Sequence, residues 1–137
     1  MIADWGFRIA DLYGNAYCLC MNEEEFKERT KAFALRVIRP CEALPKSRTA
    51  DVIGRQLLRC GTSVGANYRA ACRAKSNADF AAKMAIVEEE CDESIYWMEL
   101  IVEASLMDET KVSGLKAEAN EILSMTVASI KTARSRK

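Results

Sequence analysis

Apolar residues return every three or four positions in four separate stretches of the chain. Phe26, Thr30, Phe33, Val37, Cys41 and Leu44 form the first set, and Ile53, Leu57, Cys60, Val64, Tyr68 and Ala71 the second. Phe80, Met84, Val87, Cys91, Ser94, Met98 and Ile101 form the third, and Val112, Leu115, Ala119, Ile122, Thr126 and Ile130 the fourth. This spacing places each set on one side of a helix. It predicts helices over about 23–44, 49–73, 77–107 and 111–133, with no strand pattern between them. The connections are short and polar, so consecutive helices must run antiparallel. The expected fold is all-α: an antiparallel up-down-up-down four-helix bundle.

Local punctuation supports these bounds. Asn22 followed by Glu23, Glu24 and Glu25 reads as an N-cap with an acidic first turn. Thr49 with Asp51 marks the second start, and Ser76 or Asn77 the third, with Asp79 behind it. Pro40 has no N–H to give the carbonyl of Arg36, so a kink or an early end is expected there. Residues 1–21 keep no helical period and mix Trp5, Tyr13 and Tyr17 with Gly6, Gly14, Cys18 and Cys20. They read as a loosely ordered N-terminal extension or a start-codon artefact, leaving 22–134 as the bundle domain.

The second helix has three chemically different sides. With Arg55 as zero, Arg73 shares its azimuth and Arg48, Arg59 and Arg69 fall within about 40° of it. The apolar set lies opposite, at about 140–220°, while Gly54, Gly61, Gly65 and Cys72 gather at about 240–280°. Each glycine inside a helix costs about 0.5–1 kcal/mol relative to alanine. A stripe of three therefore indicates close approach of another backbone, from the third helix or a neighbouring subunit, or else a break near Thr62. Asn67 sits at the edge of the apolar side. If it faces Glu90 on the third helix, that contact fixes their register.

Composition and charge narrow the function. Half of the 137 residues are hydrophobic and 7% aromatic, and 20 basic residues balance 20 acidic ones. No global field favours nucleic acid or membrane, but the balance is uneven along the chain. Residues 46–75 carry seven Lys or Arg against one acidic residue, and 76–110 carry ten acidic residues against one Lys. Glu88, Asp92, Glu99 and Glu103 share one side of the third helix. The arginine stripe thus suits intersubunit pairing with carboxylates, nucleic-acid phosphate, or plain solvation. There is no histidine, no C-x-x-C pair and no glycine-rich strand-to-helix loop, so neither a di-iron centre nor common catalytic machinery is expected. No cofactor, metal or small-molecule substrate is expected. The reduced-looking cysteines and the lack of a membrane-length apolar run point to the cytoplasm.

The run from Leu57 to Arg69, with Ser63-Val64-Gly65-Ala66-Asn67-Tyr68-Arg69 at its centre, then Asp79-Phe80, Lys83 and Tyr96-Trp97 before Glu99-Leu100, resembles the bacterial proteins encoded in intervening sequences of 23S rRNA genes, the S23-type family. The resemblance covers about residues 25–132. It implies a four-helix bundle that assembles into homo-oligomeric rings, pentamers among characterised relatives. One related branch works with a reverse transcriptase and binds nucleic acid. Ala70 departs from the family, which commonly carries Glu there, and the nucleic-acid-binding branch is strongly basic where this chain is neutral. The expected function is a non-enzymatic, oligomeric interaction protein. Gly54, Gly61 and Gly65 would serve packing, and Arg48, Arg55, Arg59, Arg69 and Arg73 a subunit interface. The alternative is RNA or DNA binding by those arginines across a ring.

Overall fold

The computed structural model describes residues 21–136, so the N-terminal extension with Cys18 and Cys20 lies outside the described residues. Four helices follow: α1 (Glu23–Ala43), α2 (Arg48–Cys72), α3 (Asn77–Glu103) and α4 (Ser113–Ser135), with a 3₁₀ turn at Glu109–Lys111. Each packs antiparallel on its predecessor, and α4 returns to α1, so the four surround one core. Phe33, Leu57, Met84, Met98, Ile101 and Ile122 are its largest fully buried side chains. Phe26 and Tyr68 meet edge to face, 4.5 Å between ring centroids, where the start of α1 crosses the end of α2.

The helix ends show why the sequence stops where it does. Asn22 accepts from the Glu25 amide at 2.9 Å while Glu25 reaches back to the Asn22 amide at 3.2 Å, a complete capping box. Pro40 is buried and does not end α1; the helix runs to Ala43, and Leu44 turns extended ahead of Pro45. α2 is capped by Ser47, whose hydroxyl accepts from Ala50 at 3.1 Å, so Thr49 lies inside the first turn rather than at its cap. Ser76 caps α3 through the Asp79 amide at 3.0 Å. α3 ends four residues before the predicted 107 because Ser105 turns left-handed at φ 59°. Leu106 then donates to Ile101 at 2.9 Å and Ser105 to Val102 at 3.0 Å, closing a Schellman turn.

Polar groups placed at apolar positions are satisfied within their own helices. The hydroxyls of Thr30, Ser94 and Thr126 are fully buried and donate to the carbonyls of Phe26, Glu90 and Ile122. Buried polar atoms bonded this way escape the penalty of an unmade bond. Ser94 also sits 3.2 Å from the Cys60 sulfur, fixing the level at which α2 and α3 face each other.

Candidate functional site

α2 is one unbroken helix from Arg48 to Cys72. Thr62 and Ser63, where a break was the alternative, send their hydroxyls to Leu58 at 2.7 Å and Arg59 at 2.6 Å and stay helical. Its glycine side is not free, however, and it does not face α3. A Cβ on Gly61 would lie 2.8 and 2.9 Å from the two γ-carbons of Val37. On Gly65 it would meet Thr30 at 3.1 Å, and on Gly54 the Leu44 Cδ1 at 2.8 Å. All three glycines admit side chains of α1 or of its C-cap, Leu44. The spacing expected for close approach is correct and the expected neighbour is corrected: Thr30, Val37 and Leu44 repeat every seven residues and descend along α1 as the glycines climb α2.

The arginine side divides. Arg59 spans to α3, its guanidinium 3.2 Å from Glu90 Oε2 and 2.5 Å from Glu93 Oε1. Glu93 also accepts from the Trp97 indole at 3.1 Å. The Arg59 bond holds the Glu93 carboxyl below its ordinary range, against a smaller opposing effect of burial. Arg55 bonds only to Asp51 on its own helix, at 3.1 Å with both groups largely exposed. Such a surface pair stabilises by about 0–1 kcal/mol at most. Arg48, Arg69 and Arg73 are exposed, and none reaches a carboxylate at ion-pair distance among the described residues.

One expectation is overturned here. Asn67 does not face Glu90: its amide donates to the Ser63 carbonyl at 2.8 Å on its own helix, while Glu90 is held by Arg59. The Cys60–Ser94 contact sets a register that brings Asn67 level with about Val87, within roughly one turn of Glu90, yet each side chain is taken by a nearer partner. Within the chain, the carboxylates sharing one side of α3 lie against α4 and not against the arginine stripe. Glu88 and Asp92 line a groove with Leu123 and Val127 of α4, and Glu99 lies 3.6 Å from Lys116 of α4.

One polar cluster was not foreseen. Arg29 of α1 bonds Glu118 of α4 through Nε at 2.8 Å and Nη2 at 2.5 Å, and also bonds Glu121. Arg36 approaches the second Glu118 oxygen at 3.7 Å. Burial works to lower the Arg29 pKa, but Glu118 and then Glu121 outweigh it and hold it above its usual value. The seven-residue step between Arg29 and Arg36, on the flank of α1 away from α2, was the available signal.

Exposed large apolar side chains are confined to three helices among the described residues: Leu35 and Ile38 on α1, Val52 and Leu58 on α2, Ile86 and Tyr96 on α3. Tyr96 is 52% exposed and packs edge to face on Trp97, 5.1 Å between centroids. The outer side of α2–α3 therefore mixes arginine, tyrosine and aliphatic groups, the composition of an interface centre more than of a solvated face. Among the described residues no three His, Cys, Asp or Glu side chains gather closely enough to hold a metal ion. No described helix is long and apolar enough to cross a membrane.

Comparison with known proteins bears on the same elements. No curated protein matches the chain. A crystal structure of a protein of unknown function from the S23 ribosomal protein family of Bacteroides thetaiotaomicron superposes with a TM-score of 0.73 at 31% identity, covering 80% of this chain and 97% of that one. The model of the 23S rRNA-intervening sequence protein family matches residues 22–128, from the cap of α1 into the last turns of α4. With its glycine-stripe helix, its Tyr96-Trp97 element and its four-helix architecture all inside that match, the chain belongs to the 23S rRNA-intervening sequence protein family.

Proposed function

We propose that this protein is a non-enzymatic, self-assembling helical bundle whose outer α2–α3 side forms the subunit interface. The observation that carries this reading is the set of exposed groups there: Val52, Leu58, Ile86 and Tyr96 interleaved with Arg48, Arg55, Arg69 and Arg73. Arginine and tyrosine at the centre of a desolvated patch dominate binding energy in known interfaces. The carboxylates on the α3–α4 side supply complementary charge for a second copy, which favours a repeating, head-to-tail contact and hence a closed ring. The pentamer known among relatives is the form this reading expects.

Measuring solution mass at low and high salt tests the proposal. A multiple of the 15.3 kDa chain mass supports it, reduced by Arg55→Glu/Arg73→Glu. A monomer at every concentration and salt contradicts it.

A second reading has its own support. Arg48, Arg69 and Arg73 carry no carboxylate partner among the described residues, so their charge is free for phosphate. Repeated around a ring, these stripes would produce a strong local field although each chain is neutral. RNA or DNA binding that weakens steeply between two salt concentrations, and again in the double charge reversal, would favour this reading.

A further inference from the structure

We propose that the cleft between the last turns of α1 and the first turn of α4 binds the phosphate group of a small molecule. The cleft has a volume of about 530 Å³ and is lined by Arg36, Arg39 and Lys111 together with Pro40, Gly114 and Leu115. None of its lining residues is a carboxylate. Three cations thus share one concavity in a chain whose total charge is balanced, a local excess that favours an anion.

The nearby acids are engaged elsewhere. Glu118 lies 3.7 Å from Arg36 but is bonded twice by Arg29, at 2.8 and 2.5 Å. Asp108 accepts from the amide and hydroxyl of Thr110 at 2.9 and 2.7 Å, and Glu109 beside it is exposed. The Thr110 bonds hold the Asp108 carboxyl below its usual range with Lys111 adding a smaller attraction, while Arg36, at ion-pair distance from Glu118, is the most compensated of the three cations. Arg39 has no carboxylate at ion-pair distance among the described residues. Gly114 lies beside the Arg36 guanidinium, where a Cβ would sit at ordinary contact distance, 3.6 Å from Nη2. Guanidinium forks match phosphate oxygens two at a time, and the exposed Leu35 with Pro40 gives the cleft an apolar flank for the rest of the molecule. This site lies apart from the α2 arginine stripe, and it stands whether or not the chain self-assembles.

The test is an NMR titration of the ¹⁵N-labelled full chain with inorganic pyrophosphate and, separately, with ADP at low ionic strength. Saturable shifts of the Lys111, Gly114 and Leu115 amides are expected with at least one of the two. Arg39→Ala/Lys111→Ala should weaken binding about tenfold or more, while Arg55→Ala/Arg73→Ala should change it less than about twofold. Tighter binding of ADP identifies the source as a nucleotide, and equal affinity identifies free polyphosphate; both support the site. Absence of shifts at those amides, shifts centred on α2 instead, or an unchanged response in the Arg39/Lys111 variant would overturn it.

Discussion

Helix α1 meets α2 and α4 with opposite kinds of side chain. Against α2 it presents Thr30, Val37 and, at its C-cap, Leu44 to three positions without side chains, and contact is made mainly by shape, with one thiol bond from Cys41 to the Gly54 carbonyl at 3.5 Å. Against α4 it reaches with Arg29 and Arg36, and contact is made by charge across a wider gap. The first seam tolerates almost no added volume, because Val37 is fully buried and β-branched and has little rotamer freedom. The second tolerates volume but not loss of charge, because one absent partner leaves another half-buried and unpaired. A small-residue stripe is thus no indication of a free surface: here it is filled by the preceding helix of the same chain.

The sharpest way to break this contrast is Gly61→Ala. Overpacking costs about 1–3 kcal/mol, and alanine returns about 0.5–1 kcal/mol of helix propensity, so a net loss of stability is expected. A urea midpoint equal to or above that of the parent would show that Val37 yields freely. Next in size is Arg29→Ala, expected to cost about 1–2 kcal/mol through loss of the bond pair to Glu118. Adding Glu118→Gln should recover part of that loss, and a strictly additive double variant would mean the pair is not coupled.

Gly54→Ala sharpens the comparison within the glycine seam. Its added carbon meets only the mobile end of half-buried Leu44, so its stability should stay within about 0.5 kcal/mol of the parent. A loss as large as that of Gly61→Ala would make the whole stripe equally rigid.

The smallest effect is the acid response. Glu93, through Arg59, and Asp79, through Lys83 and then the Lys75 amide, have folded-state pKa values below their unfolded ones. Their contribution is complete above the unfolded carboxylate range and is lost as pH falls through that range and below it. Unfolding midpoints measured from pH 7 downward should hold until about pH 5 and then fall, with a shallower fall in Arg59→Gln. An unchanged slope in that variant would remove Glu93 from the account.

How much of this was legible differs by level. The four apolar sets identified every α-helix and most of the buried side chains, because a 3.6-residue period reports burial without reference to partners, though not Ile95, Met125 or most of the buried alanines. Helix ends were legible at Asn22 and Ser76, where a side chain performs the capping, but the same device at Ser47 was passed over for Thr49. They were not legible at Ser105, where a non-glycine residue turns left-handed. The glycine azimuths were right and their neighbour wrong, since a single helix shows which way a side points but not which helix fills it. The seven-residue step of Thr30, Val37 and Leu44 held part of that answer. Asn67 and Glu90 failed for a related reason: an azimuth does not say which partner is nearest, and the Ser63 carbonyl and the Arg59 guanidinium take the two side chains first. The α1–α4 charge cluster joins residues about ninety positions apart, beyond the reach of any local pattern.

The most direct test compares two variants in one experiment, recording solution mass and urea midpoint for Gly61→Ala and for Arg55→Glu/Arg73→Glu. If the glycines serve packing within the chain and the outer arginines serve assembly, the first variant loses midpoint while keeping the parent's mass. The second then loses mass while its unfolding at matched subunit state is unchanged. A glycine variant that dissociates while its chain remains as stable as before, beside a charge reversal that leaves the assembly intact, would contradict the account.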